Sequence, residues 1–221
     1  RDFIISFPSL VIQKKISKIL LSLDDQILNL KKQNQIFDLT IQCLFKSRFV
    51  DFNGQNKFIN SEIGKIPKGW KVVKIEDVIE LLYGKSLTVK NRKKGNFPVY
   101  GSSGIIGFHD EYLCSSSGII VGRKGNVGSV FWSQNPFYVI DTAYYVKTEL
   151  PLHYVYRNFQ NQNFIDSDTS VPGLSRSQAY SLPILIPDEL SLERFENFAS
   201  KIQIPFENNN QSISQLEQIQ D

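Results

Sequence analysis

Five cations fall within ten residues, Lys85, Lys90, Arg92, Lys93 and Lys94, and no Asp or Glu occurs from residue 81 to residue 109. Such a run attracts polyanions, a nucleic-acid backbone above all. Ser86, Tyr83, Tyr100, Ser102 and Ser103 lie close by, and their hydroxyls and rings suit base edges or sugar–phosphate oxygens. The stretch Gly122-Arg123-Lys124-Gly125-Asn126-Val127-Gly128 places Arg123, Lys124 and Asn126 at the tip of a tight turn. A further turn, Ser170-Val171-Pro172-Gly173-Leu174-Ser175-Arg176-Ser177, ends in hydroxyls and a cation, with Ser175 and Arg176 the candidates for contact. Each stretch also has a plainer reading: a solvated basic loop, a hairpin turn, and a loop leading into a strand.

Bond-making chemistry is poorly provided for. His109 and His153 lack neighbours at metal-ligand or triad spacing, and Asp110, Glu111, Asp141, Asp166 and Asp168 are scattered as caps or surface charges would be. The glycine loop at 122–128 is not a nucleotide loop, because Gly128 is followed by Ser129-Val130 where a phosphate loop needs Lys-Ser or Lys-Thr. Gly84-Lys85-Ser86 fails too, since Ile79 stands where the earlier glycine is required. No Asp/Asn/Ser-Pro-Pro-aromatic tetrapeptide of the amino-methyltransferase kind is present. We therefore expect no catalytic residue and no bound metal or cofactor.

The elements that must position these loops are clearest at the chain's two ends. Ile16, Leu20, Leu23, Ile27, Leu30, Asn34, Phe37, Ile41 and Leu44 are spaced four and three apart without a break, as a coiled-coil seam is. A helix is expected from Ser9, a candidate N-cap after Pro8, to about Arg48. The pattern recurs in Phe195, Ala199, Ile202, Phe206, Asn209, Ile213, Leu216 and Gln220, with Pro205 expected to kink this helix or delay its continuous part. Residues 1–60 hold nine Lys/Arg against five Asp/Glu, and 191–221 hold two against five, so the two stretches are opposite in sign. Antiparallel pairing that matches the two seam amides, Asn34 and Asn209, fixes a register in which paired numbers sum to 243. A buried amide costs stability unless paired, so this contact would specify register.

Between the helices the pattern is shorter. Residues 51–56 form a polar linker, 71–75 a strand, and 75–82 one or two helical turns. Further strands are expected at 97–100, 118–121, 129–132, 137–140, 143–147 and 184–186, with a helix at 152–161. The fold expected is α+β: a mixed α/β domain, residues 51–190, inserted at the tip of an antiparallel two-helix coiled coil formed by residues 1–50 and 191–221. At 221 residues with 41% apolar and 21% charged residues, the chain can bury a core. No apolar run suits a membrane span, no secretory signal is visible, and Cys43 and Cys114 stand alone, which points to a reduced cytoplasmic setting. The absence of methionine suggests an internal piece of a longer protein.

These motifs, in order, resemble the specificity subunit of type I restriction–modification enzymes. The helix opening Phe7-Pro8-Ser9-Leu10-Val11-Ile12-Gln13-Lys14-Lys15-Ile16, with Leu23-Asp24-Asp25-Gln26-Ile27 and the ending Leu44-Phe45-Lys46-Ser47-Arg48-Phe49, is similar to the family's conserved helix. So are the recognition-domain opening Ile66-Pro67-Lys68-Gly69-Trp70, the glycine loop, Asp141-Thr142-Ala143 and Pro172-Gly173-Leu174-Ser175-Arg176. The exit Leu182-Pro183-Ile184-Leu185-Ile186-Pro187 leads to the second helix at Arg194-Phe195. The chain departs from the family in reading Ile12-Gln13 for the usual Glu-Gln, in carrying one recognition domain where two are usual, and in Pro205.

The resemblance implies a non-catalytic reader of one half of a split target in double-stranded DNA. Its helices would act as a ruler and dock methyltransferase subunits, which bring S-adenosylmethionine. Through them it would reach the restriction and translocase subunit, with its ATP and Mg. A half-subunit would homodimerise. The DNA contacts it implies are Lys85, Ser86, Lys90, Arg92, Lys93, Lys94, Tyr100, Ser102, Ser103, Arg123, Lys124, Asn126, Ser175 and Arg176. Two other classes stay open: the recognition module of a fused restriction–methyltransferase polypeptide, and a coiled-coil scaffold that binds protein.

Overall fold

The computed structural model describes residues 7–164 and 173–220. Asp166, Asp168, Ser170, Val171 and Pro172 lie outside them. The chain divides into two compact units, one of Arg1–Leu44 with Phe198–Asp221 and one of Phe45–Asn197.

The first unit is a helix pair. Helix α1, Leu10–Phe45, starts one residue after Ser9, whose carbonyl accepts from Gln13 N at 2.9 Å. The second helix, α4 below, spans Glu189–Gln220. Asn209 Nδ2 donates to Asn34 Oδ1 at 3.0 Å, Lys31 pairs with Glu217 at 2.8 Å, and Gln220 Nε2 donates to Asp24 Oδ1 at 2.9 Å. Partners descend along one helix as they ascend along the other, so the pair is antiparallel, and its asparagines meet as the register predicts. Asn34 also donates to Asn210 Oδ1 at 2.8 Å and to the Phe206 carbonyl at 3.3 Å, while Asn209 reaches Gln33 Oε1 at 3.1 Å.

The seam is covered where the helices overlap. Ile27, Asn34, Ile41, Ala199 and Ile213 are buried, and Leu23, Leu30, Phe37, Leu44, Ile202, Phe206 and Leu216 are half-buried. Ile16 and Leu20 are exposed, and Gln220 bonds to Asp24. Of the two effects expected of Pro205, a kink or a delayed continuous part, the delay does not occur: the second helix starts at Glu189 and runs through Pro205. Proline removes one donor, and the half-buried seam residues around it, Ile202 and Phe206, hold the helix in place by packing.

The second unit begins inside the first helix, where residues Lys46–Val50 form a π-turn closed by Asp51 N on the Lys46 carbonyl. A hairpin follows, β1 (Phe58–Ser61) and β2 (Gly64–Pro67), turning at Gly64 with φ +104°. The remaining elements are β3 (Lys71–Lys74), β4 (Ile79–Tyr83), β5 (Phe97–Gly101), β6 (Gly104–His109), β7 (Gly118–Gly122), β8 (Val130–Ser133), β9 (Tyr138–Val139) and β10 (Ala143–Thr148). After them come α2 (Leu152–Gln160), α3 (Arg176–Ser181), β11 (Pro183–Ile186) and α4. One antiparallel sheet has the order β4-β10-β7-β8, a second the order β6-β5-β9 with β5 and β9 parallel, and β3 pairs with β11.

The expected helical turns at 75–82 are corrected in part. A single 3-10 turn, Ile75–Asp77, precedes strand β4, in which Ile79 and Leu81 are buried while Glu80 is exposed. Pairing with β10 overrides the local pattern, as strand context often does.

The core of this unit gathers Tyr100, Ile120, Phe137, Val139 and Ala143. A separate aromatic cluster joins Phe45, Phe49, Trp70, Tyr154 and Phe195, with Phe49 edge-on to Phe195 at 5.3 Å and 86°. This cluster accounts for Phe45 and Phe195 belonging to the second unit. Its rim is tied by Asp188, which accepts Trp70 Nε1 at 2.7 Å, Ser191 N at 3.0 Å and Ser191 Oγ at 2.8 Å. Burial works against the charge of Asp188, yet these bonds outweigh it and hold its pKa below the ordinary value.

Candidate nucleic-acid interface

The basic loop is pinned at both ends by glycines with no room for a side chain. A Cβ on Gly84 would stand 2.1 Å from the Ile140 carbonyl oxygen, and one on Gly95 would stand 2.2 Å from that of His109. Gly84 N and Lys85 N donate to the carbonyls of Ala143 and Val139 at 3.2 and 2.9 Å. Between the anchors a 3-10 turn, Val89–Asn91, carries the chain outward. Lys85, Ser86, Lys90, Lys93 and Lys94 are exposed. Arg92 is different: it is half-buried, its Nη1 donates to the Ile106 carbonyl at 2.6 Å, and its buried Nε has no hydrogen-bond partner. It braces the loop against β6.

Four further turns meet beside the strand ends. The β5–β6 turn holds Ser102 and Ser103; Ser102 N donates to Thr142 Oγ1 at 3.3 Å and its carbonyl accepts from Ser129 Oγ at 2.6 Å. In the glycine loop, Gly125 and Gly128 have φ of +79° and +72°, and a Cβ on Gly122 would stand 2.1 Å from the Asn126 carbonyl oxygen. The loop is fixed to the β9–β10 turn by Arg123 N and Lys124 N, which both donate to the Thr142 carbonyl at 2.9 and 3.0 Å. The turn carrying Ser175 and Arg176 joins through Leu174 N, which donates to the Arg123 carbonyl at 2.8 Å. Tyr144 holds the same turn, its hydroxyl donating to the Leu174 carbonyl at 3.0 Å. Burial and the neighbouring Tyr83 phenol push the Tyr144 hydroxyl up to about 12, against the pull of Arg123.

Arg123 and Arg176, 53 residues apart in sequence, therefore come together, and both stack on Tyr83. Each guanidinium carbon lies 4.9 Å from the centroid of that ring. Arg123 Nη1 also donates to the Asp141 carbonyl at 3.1 Å. Lys124, Asn126 and Ser103 are exposed on the flanking turns, and Ser175 Oγ lies 2.7 Å from Ser177 Oγ. Tyr100 stands apart from this group. It is 6% exposed, sits edge-on to Phe137 and donates its hydroxyl to the Trp132 carbonyl, so it supports the turn from the core. Thr142 and Ser129, which tie the turns together, had no signal in the sequence beyond their places in the Asp141-Thr142-Ala143 motif and next to Gly128.

Among the described residues no group of His, Cys, Asp and Glu is placed to hold a metal ion. Among the described residues no helix is long and apolar enough to cross a membrane.

An array of cations and hydroxyls on turns, held by a small mixed sheet domain that interrupts a helix pair, is the architecture of a DNA-specificity module. The model of the type I restriction modification DNA specificity domain matches residues 67–218, and the chain belongs to that family. It is 26% identical to the type I restriction enzyme MjaIX specificity subunit of Methanocaldococcus jannaschii, over 98% of this chain and 58% of the relative. The MjaVIII specificity subunit of the same organism is 37% identical over 37% of this chain and 19% of its own length. The fold resembles that of a type I restriction-modification S subunit from M. genitalium, with a TM-score of 0.66 at 15% identity, over 94% of this chain and 58% of that one. A chain from a structure describing complex assembly and conformational transition of the type I R-M system gives a TM-score of 0.51 at 12% identity, over 96% and 58%. The chain thus spans 58% of the length of the MjaIX relative.

Proposed function

We propose that this chain reads part of a DNA target as the specificity component of a type I restriction–modification system. The observation that carries the reading is the convergence of the turns at Ser102, Arg123, Thr142 and Arg176 on one another, in a domain of this family. The lysines of the basic loop supply sequence-independent attraction to the backbone, and the shorter polar groups on the turns are of the size that reaches base edges. Bond-making chemistry falls to partner methyltransferase subunits, which bring S-adenosylmethionine and dock on the helices, and through them to a restriction and translocase subunit that uses ATP and Mg. The protein works in the cytoplasm, where its DNA is.

Methylome sequencing of cells with and without the gene tests this directly. A split methylated motif is expected to disappear on deletion. An unchanged methylome, with no salt-dependent binding of the protein to duplex DNA, would refute the proposal and favour a protein-binding scaffold.

A further inference from the structure

The Arg123–Tyr83–Arg176 stack supports an inference that rests on the DNA-reading proposal and assigns a ligand within it. Two guanidinium carbons, each 4.9 Å from the centroid of one ring, place two like charges together on a half-exposed phenol. Tyr144 backs Arg123 at 5.9 Å and Tyr180 backs Arg176 at 5.8 Å. Among the described residues, the ion pairs formed elsewhere include neither arginine, and no carboxylate offsets their repulsion. The aromatic faces and the bond from Arg123 Nη1 to the Asp141 carbonyl fix the pair in advance.

A base edge offers neutral acceptors and is satisfied by one guanidinium in its plane. Two cations held on one ring, neither of them in an ion pair among the described residues, fit instead a singly charged group with several acceptor oxygens, which a phosphodiester is. We infer that Arg123 and Arg176 clamp one backbone phosphate, that Tyr83 is the positioning residue that holds both, and that base reading falls to uncharged groups on the adjoining turns, Ser103 and Asn126 foremost. The clamp would set the register of the domain on the duplex and leave its sequence preference to its neighbours.

The test uses the full chain with short fluorescent duplexes of randomised sequence, measuring affinity by anisotropy from 50 to 200 mM salt and sequencing the retained duplexes. Arg123→Gln and Arg176→Gln are each expected to weaken binding to all sequences alike and to leave the enriched motif unchanged. Because one phosphate is shared, each single variant still holds it through the other arginine and should change the salt slope little. The double variant loses the contact, which lowers the slope by about 0.9, so its affinity should fall roughly 3.5-fold less across that salt range than that of the wild type. Tyr83→Leu should reproduce the loss, and Tyr83→Phe, which keeps the ring, should restore it; thermal melting of each variant separates this from unfolding. A changed base preference in either arginine variant, an unchanged salt slope in the double variant, or wild-type binding by a folded Tyr83→Leu protein would overturn the clamp alone. Failure of the wild-type chain to bind any duplex would overturn the DNA-reading proposal and the clamp with it.

Discussion

Replacing Asn34 by leucine sets two comparable effects against each other. The side chain is 7% exposed and makes three hydrogen bonds, with Asn209, Asn210 and the Phe206 carbonyl. Each is worth about 0.5–1.5 kcal/mol net when lost. The substitution strands little, since Asn209 keeps Gln33 as a partner and Asn210 is exposed to water. Burying leucine there returns about 1.5–3 kcal/mol. Asn34→Leu is therefore expected to leave the helix pair within about 1 kcal/mol of its original stability. Asn34→Ala, which loses the bonds and gains no such burial, should cost about 1.5–4.5 kcal/mol. Urea unfolding of the full chain, followed by far-ultraviolet circular dichroism, gives the ranking. A double-mutant cycle of Asn34→Ala with Asn209→Ala should show a coupling of about 1 kcal/mol. Equal losses for the leucine and alanine variants, or a coupling indistinguishable from zero, would show that the amides do not set the pairing.

Asp188→Asn is expected to cost about 1 kcal/mol at neutral pH, through weaker bonds to Ser191 and Trp70. Because the folded pKa of Asp188 lies below its unfolded value, its contribution is present above about pH 4 and fades as pH falls through the folded value. Denaturation midpoints between pH 2 and 7 should therefore converge for variant and wild type at the acid end, and parallel curves would count against this. Gly84→Ala should destabilise the protein by about 1–3 kcal/mol and weaken duplex binding, since its Cβ would meet the Ile140 carbonyl. Gly69→Ala, at φ +96° in open space, should cost about 1–2 kcal/mol through backbone strain and spare binding; thermal melting with anisotropy distinguishes them. Tyr144→Phe leaves the carbonyl of buried Leu174 without its phenol donor and should cost about 1–3 kcal/mol by chemical denaturation.

The helix pair was legible in the sequence because its register depends on two residues whose chemistry sets them apart from their neighbours. An amide within an apolar stripe needs a partner, and the other stripe offered Asn209. Strands β5 and β7 to β10 were legible because glycine and proline mark their ends. Strand β4 was not: Ile79-Glu80-Leu81-Leu82 carries no helix breaker, and only its partner β10 decides its state. Nor were the β1–β2 hairpin, strand β6 and the short α3, whose pairing and packing are settled by tertiary contacts. The cations of the candidate interface could be named from composition, but their roles diverge through geometry. Arg92 turns inward to a carbonyl while Lys93 beside it is exposed, and Arg123 finds Arg176 only through Tyr83, from which both are distant in sequence.

The two glycines that bound the basic loop have a consequence for how such a protein can change over generations. Gly84 and Gly95 lie against main-chain atoms, so each tolerates no side chain. Of the ten residues they enclose, Arg92 is tied to the framework by its bond to the Ile106 carbonyl, and Lys93 by its N–H on His109 Nδ1 and an ion pair with Asp110 at 3.9 Å. The segment is thus a replaceable cassette in a constant socket. Substitution, shortening or recombination between the two anchors can alter what the loop meets without rebuilding the sheet beneath it. If the chain reads DNA as proposed, changes of target preference need only alter this loop.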